Sequence, residues 1–187
     1  MSTELLSMVI GFIFACAILP LSNSAEAASS GDRVRARTKP GTQVTLKAEP
    51  VEATLEPEGE AGKGLTEHVK ALRSGGKLHL VLLGLGTDAQ PGVLYGVYLD
   101  LPPMATPEQK RTHSVGAINF FNFIGHESEE AKNSPDRRAV SLDVTDVAKR
   151  LQREGKLRDK PVITIAPIGK PKAEAKPIVS EIHLSES

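Results

Sequence analysis

Lys77 to Leu101 reads KLHLVLLGLGTDAQPGVLYGVYLDL, and the fold class follows from its two halves. Lys77 to Leu85 is an almost continuous apolar run, too short and too closely bounded by glycine for a helix, so it predicts a central strand. Gly86 to Gly92 holds Gly, Asp and Pro and predicts a turn. Val93 to Leu101 (VLYGVYLDL) is the next strand, ended by Pro102-Pro103.

The β pattern continues toward the C-terminus. Met104 to Thr112 reads as a polar loop broken by Pro107, and Ser114 to Ile124 (SVGAINFFNFI) as a strand. Gly125 to Asp136 is a charged loop and Arg138 to Asp143 a strand. Asp143 or Thr145 then caps a short helix with Val147 and Leu151 on one face, stopped at Gly155. Pro161 to Ile168 and Ile178 to Leu184 are the last two strands, joined by the loop Gly169 to Pro177.

Toward the N-terminus, Leu65, Val69 and Leu72 recur at helical spacing, so Thr66 to Arg73 predicts a short amphipathic helix before Gly75-Gly76. Glu52 to Gly64 is acidic, rich in Pro and Gly, and reads as an exposed loop. Gln43 to Val51 alternates and reads as the first strand. The expectation is a mostly β fold: a seven-stranded, jelly-roll-like β-sandwich with two short helices over residues 43–187. Beyond the leader the aromatics are Tyr95, Tyr98, Phe120, Phe121 and Phe123, all expected in the core.

Residues 28–42 are small, basic and polar and read as a flexible linker; residues 1–27 read as a signal peptide. Leu5 to Leu21 is apolar and uncharged, and Ala25-Glu26-Ala27 supplies a small-x-small cleavage site, although the first residues carry Glu4 and no Lys or Arg. An uncleaved anchor is the rival, since the run is about 17 residues against the roughly 20 a spanning helix needs. The expected location is exported, periplasmic or extracellular, with membrane contact only if the leader is retained.

Cys16 is the only cysteine and falls in the leader, so the exported part has no disulfide, thiol nucleophile or thiolate ligand. The chain has 23 Lys+Arg and 23 Asp+Glu; removing Glu4 and Glu26 with the leader leaves 23 against 21, a net +2. That balance speaks against nucleic acid as a partner.

No catalytic, cofactor-binding or metal residue is assigned. His68, His79, His113, His126 and His183 show no H-x-H or H-E-x-x-H spacing, and His126-Glu127 is at most a loop pair. Ser114 beside His113 lacks a G-x-S-x-G elbow. Gly59 to Gly64 with Lys63 has neither the first glycine of a phosphate loop, where Pro57 stands, nor a Ser/Thr after the lysine. Asp143 and Asp146 read as helix-start residues.

The order of the strand segments is more informative than any one of them. PGVLYGVYLDL (91–101), HSVGAINFFNF (113–123), SLDVTDVAKRL (141–151), VITIAPI (162–168) and a final Ile178-x-x-x-Ile182-x-Leu184 strand together resemble the C-terminal β-sandwich of tyrosinase and polyphenol oxidase proteins. The likeness covers Gly41 to Leu184, and residues 28–44 resemble the linker to the copper domain. It departs at Lys77-Leu78-His79-Leu80, which keeps only the lysine of a Lys-Phe-Asp-Val motif, and the copper domain itself is missing. The resemblance implies the fold rather than the oxidase chemistry. In that family this domain covers the copper-site entrance, so the implied partner is a separately encoded tyrosinase-like copper protein.

Three functions are therefore carried forward. The first is a non-catalytic exported module covering or stabilising such a partner. The second is a periplasmic ligand- or polysaccharide-binding sandwich, which an apolar or aromatic patch on an exposed sheet face would favour. The third is a loop-built enzyme, which needs two or more of Asp88, Asp100, His113, His126 and Asp136 gathered in one pocket.

Overall fold

The computed structural model describes residues 33–58, 64–121, 123 and 139–187. The leader read at 1–27 with Cys16, residues 59–63 of the acidic loop, and His126, Glu127 and Asp136 lie outside the described residues. Among the described residues the chain is mostly β, but with eleven strands in three antiparallel sheets and three helices, where the alternation predicts seven and two.

The first sheet is formed by β4 (Glu56–Pro57), β1 (Arg33–Arg37), β11 (Glu181–Glu186), β5 (Leu78–Leu83) and β8 (Val140–Asp143), in that spatial order. The second runs β3 (Val51–Thr54), β9 (Val162–Ile168), β6 (Leu94–Leu99), β7 (Ser114–Ile118). A small ladder joins β10 (Ile178–Val179) to β2 (Val44–Thr45).

Alternation explains which side chains meet. On β5, Leu78, Leu80 and Leu82 point inward and are buried, opposite Leu184 and Ile182 of β11. On β6, Tyr95, Val97 and Leu99 point inward beside Ile163 and Ile165 of β9. These two inner faces belong to one continuous apolar core. Tyr95 and Phe120 meet edge to face at 5.7 Å, and Phe120 meets Phe123 at 6.3 Å. The expectation that all five aromatics are core is corrected at two positions: Phe121 is 73% exposed, and Tyr98 lies on the outer face of its sheet.

The Tyr95 hydroxyl is buried and has no hydrogen-bond partner among the described residues. Tyr95→Phe removes that unpaired group without changing the ring contacts. Urea unfolding is expected to show a gain of up to about 1 kcal/mol; a loss would show that the hydroxyl is hydrogen-bonded in solution.

Several segments are corrected. Residues 33–37, inside the stretch read as linker, form β1 and pair with β11 and β4. Gln43 to Val51 is not one strand: β2 and β3 lie in different sheets. β3 and β4 occupy most of the first part of the stretch read as acidic loop. Ile178 to Leu184 splits at Ser180, with β10 and β11 in separate sheets.

The three helices are α1 (Leu65–Ala71), α2 (Pro107–His113) and α3 (Thr145–Arg153). α2 replaces the polar loop expected at Met104 to Thr112. Its start is a capping box: Thr106 Oγ1 accepts from the Gln109 amide at 3.2 Å, and the Thr106 amide donates to Gln109 Oε1 at 2.8 Å. Pro107 fits the first turn, where its missing N–H costs nothing. α1 and α3 pack together through Leu65, Val69, Ala148 and Leu151.

The N-cap of α3 is Val144, not Asp143 or Thr145, and it makes no side-chain cap bond; Asp143 and Thr145 flank it. Asp143 Oδ1 accepts from the Thr145 amide at 3.0 Å, and Thr145 Oγ1 accepts from the buried Leu78 amide at 2.9 Å. Hydrogen bonding by Thr145, and then the Lys77 ammonium 3.3 Å from Oδ2, lower the Asp143 pKa to about 2. A lowered carboxylate pKa stabilises the fold above its unfolded value of 3.8, and this is lost as pH falls toward about 2. Denaturation curves at a series of pH values should show Asp143→Asn less stable than wild type near neutrality, with the difference closing in that window. A constant difference would contradict the assignment.

Candidate functional site

The two large sheets present very different outer surfaces. On the five-stranded sheet the outward positions include Arg37, His183, Glu181, His79, Ser141 and Asp143. Arg37 pairs with Glu58 at 2.5 Å and reaches Glu181 at 4.0 Å. This is a charged, solvated face.

The outer face of the four-stranded sheet carries no charge on its three successive strands β9, β6 and β7. Leu94, Gly96 and Tyr98 of β6 stand in register with Ile168, Ala166 and Thr164 of β9, and Gly96 is flanked on the other side by Ala117 of β7. Leu94 and Ile168 are direct cross-strand partners, 49% and 55% exposed. The Tyr98 ring lies over Gly96: a Cβ there would come within 2.6 Å of the Tyr98 hydroxyl oxygen. Thr164, on the same face, is buried. Glu52 enters only on the edge strand β3. A sheet face free of charge has no strong hydration to give up when another surface covers it.

Sequence reasoning missed this face, although the signal was present. Leu94 to Leu99 is uncharged at every position, and a strand apolar on both sides is one that expects cover on both sides.

The chemistry-bearing residues behave differently. Asp100 and His113 are both buried and lie at opposite ends of the peptide Leu99-Asp100: His113 Nδ1–H donates to the Leu99 carbonyl at 2.8 Å. The Asp100 carboxylate accepts from the Val162 and Arg158 amides, each at 2.8 Å. Both side chains are thus committed to backbone groups. Asp88 lies in the turn before β6, 3.8 Å from Lys176. Of the five residues of which a loop-built enzyme needs two or more in one pocket, Asp100 and His113 flank the same peptide but line neither the cavities on either side of α1 nor the one beside β2 and β3. His126 and Asp136 lie outside the described residues.

The remaining histidines are dispersed. His79 Nδ1 is 3.5 Å from Ser141 Oγ, His183 Nδ1 is 3.3 Å from Glu181 Oε1, and His68 is on α1. Among the described residues no three of His, Cys, Asp and Glu gather as metal ligands. Ser114 opens β7 while His113 ends α2, so the two belong to different elements. Among the described residues no helix is long and apolar enough to cross a membrane.

The four-stranded sheet with its uncharged face, the three helices and all but the end residues Arg33 and Glu186 of the five-stranded sheet fall within residues 34–185, which match the model of a family described as "Domain of unknown function (DUF7868)". The chain belongs to the DUF7868 family. No curated protein matches this DUF7868 chain. Among solved structures it is similar to recombinantly expressed latent aurone synthase (polyphenol oxidase) co-crystallized with hexatungstotellurate(VI), with 11% identity and a TM-score of 0.49 over 78% of this chain and 25% of that one. It is also similar to latent apple tyrosinase, with 14% identity and a TM-score of 0.45 over 78% of this chain and 27% of that one. The same aurone synthase soaked in H2O2 gives 12% identity and a TM-score of 0.48 over 94% of the DUF7868 chain and 32% of the other. The DUF7868 chain therefore spans about a quarter to a third of the structures it matches.

Proposed function

We propose that this DUF7868 protein is a non-catalytic, exported β domain that docks through the outer face of β9, β6 and β7 onto a tyrosinase-like copper protein carried on another polypeptide. Bound there, it covers or stabilises that protein. The uncharged face, set against the charged face of the opposite sheet, carries this reading. The kind of partner comes from the order of strand segments that resembles the tyrosinase C-terminal sandwich. The commitment of Asp100 and His113 to backbone groups supports a binding role over a catalytic one.

The test is co-expression with a tyrosinase-like copper protein, followed by size-exclusion chromatography and oxygen-uptake assays on a diphenol. Co-elution with altered activity is expected. Separate elution with unchanged activity removes the proposal.

A second reading has one specific observation in its favour. The same exposed apolar pair, Leu94 and Ile168, with Tyr98 beside it, is the kind of patch a ligand- or polysaccharide-binding sandwich would use. Affinity electrophoresis in gels containing soluble glycans separates the two. Retardation that is lost in Tyr98→Ala would favour the glycan reading.

A further inference from the structure

A second surface, distinct from the sheet face, is marked by charge. The whole chain has 23 basic and 23 acidic residues, and over much of the fold these neutralise one another. Arg37, Lys77, Arg111, Lys156, Arg158, Lys160 and Lys176 each stand within ion-pair distance of a carboxylate. Around α1 the compensation fails. An open groove of about 660 Å³ between α1 and α3 is lined by Lys70, Lys149, Arg150 and Arg153, with Asp146 as the acidic residue of its lining. A second cavity, of about 480 Å³ on the other side of α1, adds Arg33, Arg35 and Arg73. Among the described residues, Arg35 is the one of these seven cations within ion-pair distance of a carboxylate, 2.5 Å from Glu186.

The groove between α1 and α3 has further character. Val69 and Leu72 form an apolar part of its lining. Arg150 uses one guanidinium nitrogen on the Thr112 carbonyl, while its buried Nε has no partner among the described residues. Four cations thus line the groove with Asp146 as its one acidic lining residue, and Glu154 next to it feels the charge of Arg150. An excess of positive charge around one helix is a steering field for an anion.

We propose that the groove between α1 and α3 binds an acidic polypeptide segment in which apolar residues alternate with Glu or Asp. The carboxylates meet Lys70, Lys149 and Arg153, and the apolar side chains lie on the half-buried Leu72. An open groove suits a chain passing along it better than an enclosed small ligand. No Phe, Tyr or Trp lines either cavity, so the linings offer no large stacking platform for single-stranded nucleic acid. The large exposed apolar residues Leu94, Met104, Phe121 and Ile168 also line neither cavity, which leaves no wedge there for entering a lipid surface. Charge carries this inference, so it stands or falls separately from docking at the β6–β9 face.

The experiment is fluorescence anisotropy of the whole chain with a labelled peptide of repeating Glu-Glu-Leu. A short DNA duplex and phosphatidylserine vesicles serve as rival probes. Binding is expected at low salt and should weaken by about tenfold or more as NaCl rises from about 50 to about 500 mM. Lys149→Glu with Arg153→Glu should weaken it by about 30-fold, and the milder Lys149→Gln with Arg153→Gln by about fivefold. Lys47→Glu with Lys172→Glu, outside both linings, should leave it unchanged. Circular dichroism melts confirm that each variant is folded, and the Gln pair keeps the test valid if the Glu pair is not. No peptide binding at low salt, equal binding by the Gln pair, or tighter binding of the duplex or the vesicles would overturn the proposal.

Discussion

Replacing Asp100 with alanine is expected to destabilise the fold by about 3–5 kcal/mol, the largest loss from a single polar side chain here. Asp100 follows β6 in a left-handed conformation, φ 48°, with its carboxylate buried. Its two oxygens accept from the amides of Arg158 and Val162, and its own amide donates to the Val162 carbonyl at 2.8 Å. One side chain thus ties the end of β6 to the segment that leads from α3 into β9. Truncation strands the buried Val162 amide, worth about 1–3 kcal/mol when unpaired, and the part-buried Arg158 amide, which costs less because water can reach it. Alanine keeps the Cβ that this conformation disfavours but lacks the polar side chain that lets Asp tolerate it.

Urea unfolding of three variants separates these terms. Asp100→Gly removes the carboxylate but suits the backbone, so it should be less damaging than Asp100→Ala. Asp100→Asn keeps one acceptor and tolerates the left-handed region, so it should lose least. If Asp100→Ala costs less than about 1 kcal/mol, the segment before β9 is held by other contacts. Burial pushes the Asp100 pKa up, against the pull of the two amides, Arg158 and His113. A raised carboxylate pKa means the cost of burying the ion disappears as pH falls, so Asp100 does not make the fold acid-labile; Asp143, lowered to about 2, acts in that direction.

The sequence was most legible where one pattern held without interruption. β5, β6 and β9 stand close to where short apolar runs bounded by Gly and Pro put them, and α3 where helical spacing does. Failures came where strands were short or where composition was taken for conformation. Arg33-Val34-Arg35-Ala36-Arg37 looks like a basic linker, yet only Ala36 needs to face the core, and the arginines then line solvent and pair with Glu58 and Glu186. β2, β4 and β10 have two residues each, too few to show any period. α2 is hidden because Pro107 looks like a breaker, although Thr106-Pro107-Glu108-Gln109 is a helix-start signature.

The candidate surfaces were harder still. Leu94 to Leu99 and Val162 to Ile168 are visibly uncharged, but that their outer residues align into one face depends on a register set by long-range pairing. The cationic groove joins Lys70 to Lys149 and Arg153 across some eighty positions of chain, roughly the separation of α1 and α3, and needs the packing of those helices to exist.

The pair Leu94→Lys with Ile168→Glu is expected to abolish partner docking while leaving the fold intact. Both residues are about half exposed and face each other across β6 and β9. The new charges therefore oppose one another as a favourable cross-strand pair, and the change in stability should stay within about 0.5 kcal/mol. In a docked complex the same two charges would sit under the partner, away from water and with no group selected to meet them. That desolvation should weaken association by about 100-fold or more, read by interferometry against the immobilised copper protein. Ser141→Lys, on the outer face of the other sheet, is the matched control and should bind as wild type. The opposite pattern, with Ser141→Lys disruptive and the Leu94/Ile168 pair silent, would move the interface to the charged sheet. It would also leave the uncharged face of β9, β6 and β7 without the role assigned to it.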